Sequence, residues 1–196
     1  HSHGTHCAGI IGARNNLFGV VGVAPRSSLY AVKVLSDSGS GNTSWILAGM
    51  AWARQNGMHV VSMSLGGKSC PLVAYTNAVA QLNAAGVTVV CASGNSFDDI
   101  PTPANPDFKC VNSPANSPGT LAVGAVNANS GIAVFSSRGT GCCAPGANPV
   151  SLVAPGVSIN STVLANGYGL KSGTSMACPH VAGAAALVKQ RFPAFT

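Results

Sequence analysis

Val87 to Ala92 is a nearly continuous apolar run, interrupted only by Thr88 and set between Gly86 and the turn Ser93-Gly94-Asn95. Six residues are too few for a stable helix and suit a strand buried on both faces. Such a strand needs cover on each side, and the flanking sequence offers it. Ser28 to Leu35 is β-rich and ends in the turn cluster Ser36-Asp37-Ser38-Gly39-Ser40-Gly41. A helix capped by Thr43 or Ser44 is expected to run to about Gln55, where Asn56-Gly57 stops it. His59 to Leu65 reads as a strand broken by Gly66-Gly67, and Leu121 to Val126 as another. Pro71 opens a helix ended by Gly86, with Val73, Asn77, Ala80 and Ala84 near one face. After Gly173, the positions Met176, Val181, Ala184, Ala185 and Val188 sustain a helix to about Arg191, before Phe192-Pro193. This alternation predicts an α/β fold, a doubly wound and mostly parallel sheet flanked by helices. Residues 97–119 and 139–149 read as long loops on that scaffold, because strand-like runs resume after each. One domain spanning 1–196 is expected, without internal repeats.

Charge and cysteine usage exclude several function classes. The net charge of +6 arises from four aspartates and no glutamate against ten scattered Lys and Arg residues. No basic stripe forms, so a nucleic-acid partner is not expected. A composition that is 46% hydrophobic and only 7% charged rules out disorder. No apolar run approaches the ~18 residues a membrane helix needs. Cys70, Cys110, Cys142 and Cys143 fall in loop-like stretches, which suits an oxidising compartment, with their pairing left open. Cys7, Cys91 and Cys178 sit in apolar context and read as buried thiols. Asn42-Thr43-Ser44 and Asn160-Ser161-Thr162 have the glycosylation pattern.

Chemistry concentrates near the two ends. His3-Gly4-Thr5-His6-Cys7-Ala8-Gly9 offers a general base, and Gly173-Thr174-Ser175-Met176-Ala177-Cys178-Pro179-His180 a serine at a glycine-preceded helix start. Asn95 adds a side-chain amide that can donate to a developing oxyanion. Base, nucleophile and amide donor are most of an acyl-transfer site. An α/β-hydrolase is rejected: Gly173-Thr174-Ser175-Met176-Ala177 lacks the last glycine of G-x-S-x-G, and no acid follows the serine. A zinc hydrolase built on His3, His6 and Cys7 fails because the chain has no glutamate to act as base.

These residues resemble the subtilisin-like serine proteases, or subtilases. Both end motifs are similar to that family's histidine and serine motifs. Ser64-Leu65-Gly66-Gly67, Ser93-Gly94-Asn95, Gly22-Val23-Ala24-Pro25, Tyr30-Ala31-Val32-Lys33-Val34-Leu35 and Val153-Ala154-Pro155-Gly156 match further family segments in order. The resemblance implies a serine endopeptidase with Ser175 as nucleophile, His3 as general base, and Asn95 with the Ser175 N–H as oxyanion hole. It makes His6 and His180 packing residues, while His1 and His59 carry no motif. Ser64, Leu65 and Gly66 with Gly39, Ser40 and Gly41 would form the two edges of a groove for extended polypeptide substrates, with a mostly apolar primary pocket. Residues 14–20 resemble the family's calcium loop, to which the carbonyls of Arg14, Phe18 and Val20 and the Asn16 side chain would contribute. No cofactor is needed for the chemistry.

The family order of its triad, Asp, His, Ser, places the acid before His3. Asp37, Asp98, Asp99 and Asp107 all follow it, and none carries the family's aspartate motif. The chain therefore reads as part of a longer catalytic domain. Residues 1–196 alone are expected to be essentially inactive and poorly folded. A secreted, extracellular monomer with a prosegment is the corresponding expectation, along with a disulfide from Cys110 to Cys142 or Cys143. The competing reading is a binding module that keeps the subtilase fold with a degenerate triad.

Overall fold

A computed structural model describes residues 1–97, 110–139 and 149–194. Along the chain run α1 (Ser2–Gly12), α2 (Thr43–Gln55), β1 (Val60–Met63), α3 (Val73–Ala84), β2 (Thr88–Ala92) and β3 (Leu121–Val126). Then follow β4 (Leu152–Pro155), β5 (Ile159–Val163), β6 (Gly167–Lys171) and α4 (Thr174–Arg191). Strands β1 to β4 form a parallel sheet in sequential order, with Val61 opposite Val89, Cys91 opposite Ala122 and Gly124 opposite Val153.

Period-two alternation along β2 assigns each residue to a layer. Val89 and Cys91 join one core with Ile46 and Met50 of α2 and Tyr75, Val79 and Leu82 of α3. Val90 and Ala92 join a second with Ala177, Cys178 and Ala182 of α4. The sheet is thus covered on both faces, as expected. A third, smaller cluster of Cys7, Ile10 and Met176, with Ile159 against it, seats α1 between α4 and β5.

Several expectations are corrected. Residues 28–35 form no strand: a β-rich run becomes one only beside a hydrogen-bonded neighbour, and no described segment pairs with it. Tyr30 and Val32 are exposed, and a cleft of about 2830 Å3 is bordered by this segment, β1 and α1. The cap of α2 is Asn42, whose Oδ1 accepts from Trp45 N at 3.1 Å and from Ser44 Oγ at 2.6 Å. On α3 the face bearing Val73, Asn77, Ala80 and Ala84 is the exposed one, and Tyr75, Val79 and Leu82 are buried. On α4 the first turns are buried nearly all round, because the sheet lies on one side and α1 on another. Ala184 and Val188, expected in its stripe, are exposed.

The antiparallel hairpin β5–β6 was not foreseen. Ala165 and Asn166 both adopt left-handed backbone, φ 58° and 56°, the conformation of a tight type I′ turn. Asn166-Gly167 was its available signal. Among the described residues no helix is long and apolar enough to cross a membrane.

Candidate active site

The carboxyl ends of adjacent parallel strands share one sheet edge, where α/β folds gather their ligands. β1 ends there in Ser64, and β2 ends there in Ser93-Gly94-Asn95. The N-terminus of α4 arrives at the same place. Ser175 sits in the first turn of that helix, where backbone N–H groups lack intrahelical acceptors and the dipole favours negative charge. Its side chain is half-buried, with Oγ 3.5 Å from the Ser64 carbonyl oxygen.

Asn95 is exposed and oriented by its neighbour. Its Oδ1 accepts from Thr174 N at 2.8 Å and from Thr174 Oγ1 at 2.9 Å, while Thr174 Oγ1 accepts from Gly94 N at 3.1 Å. With the oxygen so occupied, the amide Nδ2 is left as the donor facing away. Gly173 lies beside it, at φ +153°, and a Cβ there would stand 3.2 Å from Nδ2. Asn95 is absent from the left-handed region, so it is not present merely to make a turn; Gly94, at φ +114°, does that.

His3 lies in the first turn of α1, capped by the His1 side chain, which accepts from His3 N. One turn on, Cys7 Sγ lies 4.0 Å from His3 Nδ1 and donates to the Ser175 carbonyl oxygen at 3.4 Å. His3 and Cys7 share a helix face, so the contact that anchors Cys7 also turns His3 toward α4. Burial, reinforced by the positive charge of Lys171, holds His3 below the ordinary imidazole range. Burial pushes the Cys7 thiol upward and Cys178 up to about 12, so both are packing groups rather than nucleophiles.

The two expected groove edges border the same cleft. Ser64 and Leu65 are half-buried and Gly66 is exposed. A Cβ on Gly66 would come within 2.8 Å of Ser113 O, and Gly67 pairs with Ser113 through two backbone bonds of 2.9 and 3.0 Å. On the other side, Ser36 N donates to Ser40 O at 2.7 Å, closing a turn in which Gly39 has φ +80°. Gly39, Ser40 and Gly41 are all exposed.

Asp37 is fully exposed and pairs with Lys33 at 2.9 Å; Asp98, Asp99 and Asp107 lie outside the described residues. Among the described residues His3 Nδ1 meets Cys7 alone. The Asn16 amide approaches both the Arg14 and Phe18 carbonyl oxygens to 3.2 Å, and turned nitrogen-inward it donates to both. Turned oxygen-inward it completes a set of three oxygens of the kind calcium takes. Val20, the fourth expected ligand, is half-buried. Among the described residues no three His, Cys, Asp or Glu side chains gather to hold a metal. Cys142 and Cys143 lie outside the described residues.

Four participants escaped sequence reading. Thr174 orients Asn95, Cys7 anchors α1, and Lys171 acts from outside the serine motif. Pro179 is the fourth. Its ring nitrogen cannot donate to the carbonyl four residues back, which belongs to Ser175. That carbonyl instead accepts from Ser64 Oγ at 2.8 Å and from Cys7 Sγ. A proline inside a strongly helical pattern was the signal.

Comparison with known proteins matches residues 1–196 to the subtilase family. Subtilisin E of Bacillus subtilis is 47% identical over 195 residues, covering all of this chain and 47% of its own length. Subtilisin of Bacillus pumilus is 47% identical, with 66% of its length covered. The chain therefore spans about half to two thirds of these relatives. A crystal structure of a cold adapted subtilisin-like serine proteinase superposes with a TM-score of 0.79 at 38% identity, covering 98% of this chain and 62% of that one.

Proposed function

Since the chain belongs to the subtilase family, we propose that the protein containing it is a serine endopeptidase acting through an acyl-enzyme on Ser175. The observation that carries this reading is the Thr174 clamp on Asn95 Oδ1, which occupies the oxygen and leaves Nδ2 as the amide's donor to an oxyanion. Ser175 Oγ attacks the scissile carbonyl and its proton passes to His3. The tetrahedral oxyanion accepts from the Ser175 N–H and from Asn95 Nδ2. Collapse expels the amine, which takes the proton from His3, and water then releases the acyl group by the same route.

The carboxylate that orients His3 is assigned to a part of the protein outside this chain, so residues 1–196 by themselves are inactive. The longer relatives support that assignment. An extended polypeptide occupies the cleft between Ser64-Leu65-Gly66 and Gly39-Ser40-Gly41. The protein acts outside the cell as a monomer and matures from a precursor with a prosegment. Cys70, Cys110, Cys142 and Cys143, all in loop-like stretches, support the oxidising compartment. Calcium fits the Asn16 loop in part: Asn16 Oδ1 and the Arg14 and Phe18 carbonyls would hold it, and the ion would brace the loop rather than take part in the chemistry.

A serine-directed phosphonate tests the reading. Full-length protein should be labelled at Ser175 and a Ser175→Ala variant should not. Intact, folded protein that resists the probe makes this a binding module instead.

A further inference from the structure

His6 is fully buried, and the chemistry above does not use it. Its Nε2 lies 3.0 Å from the Ile159 carbonyl oxygen on β5 and 2.9 Å from the Gly169 carbonyl oxygen on β6. Two acceptors at one ring nitrogen require that nitrogen to carry the proton. The other nitrogen, Nδ1, is equally buried and has no partner. The ring is therefore a neutral Nε2–H tautomer donating one proton between the two strands of a hairpin. Around it, Ser161 Oγ donates to the His6 carbonyl at 2.8 Å and Thr162 Oγ1 to the Thr5 carbonyl at 2.9 Å.

These bonds set the rotation of α1. His6 fixes the helix to the hairpin, while Cys7, the next residue, fixes it to the Ser175 carbonyl. His3 is three and four residues before them, on the shared face. Releasing either contact lets α1 turn about its axis and carries the His3 ring away from Ser175. The hairpin also brings Lys171 into the electrostatic surroundings of His3.

The geometry assigns His6 as a positioning residue: its neutral imidazole, bridging the Ile159 and Gly169 carbonyls, aims His3 at Ser175. This deepens the endopeptidase reading and rests on it. A misplacement of about 1 Å at a reacting group costs on the order of 100-fold in rate.

The test compares His6→Gln, whose amide reaches the Nε2 position, with His6→Asn, whose amide falls short, in full-length protein. Both keep a polar side chain, and both are assayed where near-ultraviolet circular dichroism matches wild type. Kinetics on a chromogenic peptide anilide should show kcat near wild type for H6Q. H6N should lose about 100-fold in kcat while KM stays within about twofold. Wild-type kcat in H6N, or equal losses in H6N and H6Q, overturns the proposal. In parallel, nitrogen-15 spectra of the His6 ring should show Nε2 protonated and Nδ1 bare; an Nδ1–H tautomer also overturns it. Failure of wild type to take the phosphonate at Ser175 would instead sink the endopeptidase reading, and the ring spectra would still decide the bridge.

Discussion

Pro179 stands four residues after Ser175, where a backbone N–H would otherwise close on the Ser175 carbonyl. The freed oxygen is shared by Ser64 Oγ from the end of β1 and Cys7 Sγ from α1. A gap in one helix ladder thus becomes the joint between three elements, and Ser175 is held at that joint. Pro179 itself is fully buried, so the substitution of a smaller residue there is felt through this carbonyl first.

Pro179→Ala restores the donor. A mid-helix proline costs roughly 3 kcal/mol against alanine, so the variant should melt at or above the wild-type temperature. The carbonyl is then drawn back into the helix, away from Ser64 and Cys7, and phosphonate labelling of Ser175 in full-length protein should slow. Unchanged labelling would show that the carbonyl does not position the nucleophile.

Thr174→Val removes the hydroxyl bonds to Asn95 Oδ1 and Gly94 N and leaves the backbone bond in place. One hydrogen bond is worth about 1 kcal/mol, so kcat should fall roughly 10-fold or less with KM unchanged. Asn95→Ala removes the donor itself. Its expected loss of about 10²–10³ in kcat is the size known for the corresponding donor of a subtilisin, a relative of this chain, rather than a value calculated from these distances. A Thr174→Val loss as large as that of Asn95→Ala would mean that the clamp does more than orient the amide.

Lys171→Met takes a positive charge from the surroundings of His3. The His3 value is depressed by burial and by Lys171, so removing the charge raises it. Activity needs neutral His3, and the acid limb of kcat/KM against pH should therefore move to higher pH. A limb that stays in place, or moves to lower pH, refutes the electrostatic role of Lys171.

Calcium should raise the thermal midpoint of full-length protein, and Asn16→Ala should abolish the rise by removing the side-chain oxygen. A midpoint insensitive to calcium in wild type removes the ion from the Asn16 loop.

Much of the fold was legible because β2 states its environment directly. A strand with Val89, Val90 and Cys91 all buried can lie only between two layers, and the layers follow from the alternating pattern around it. The helix bearing Ser175 was equally plain, since a glycine starts it and Phe192-Pro193 ends it. Residues 28–35 were misread because β-propensity reports the fit of side chains to a pleated surface, not the presence of a neighbouring strand. The face of α3 was misread for a related reason: small and polar residues at helical spacing mark either side of a helix, and packing on the sheet chose Tyr75, Val79 and Leu82.

The sequence alone carries the proposed chemistry, because His3, Asn95 and Ser175 each stand in a local motif whose backbone requirements are local: a helix turn, a strand end beside a glycine, a helix N-terminus. Only the tertiary structure decided how they are aimed. Thr174 on Asn95, Cys7 and Ser64 on the Ser175 carbonyl, and His6 on the hairpin are contacts between segments as many as 168 residues apart. No residue pattern encodes such pairings one by one. Those at Asn95 and the Ser175 carbonyl exist because parallel strands bring their ends to one edge of a sheet, where a helix that lacks one internal hydrogen bond can accept two from its neighbours.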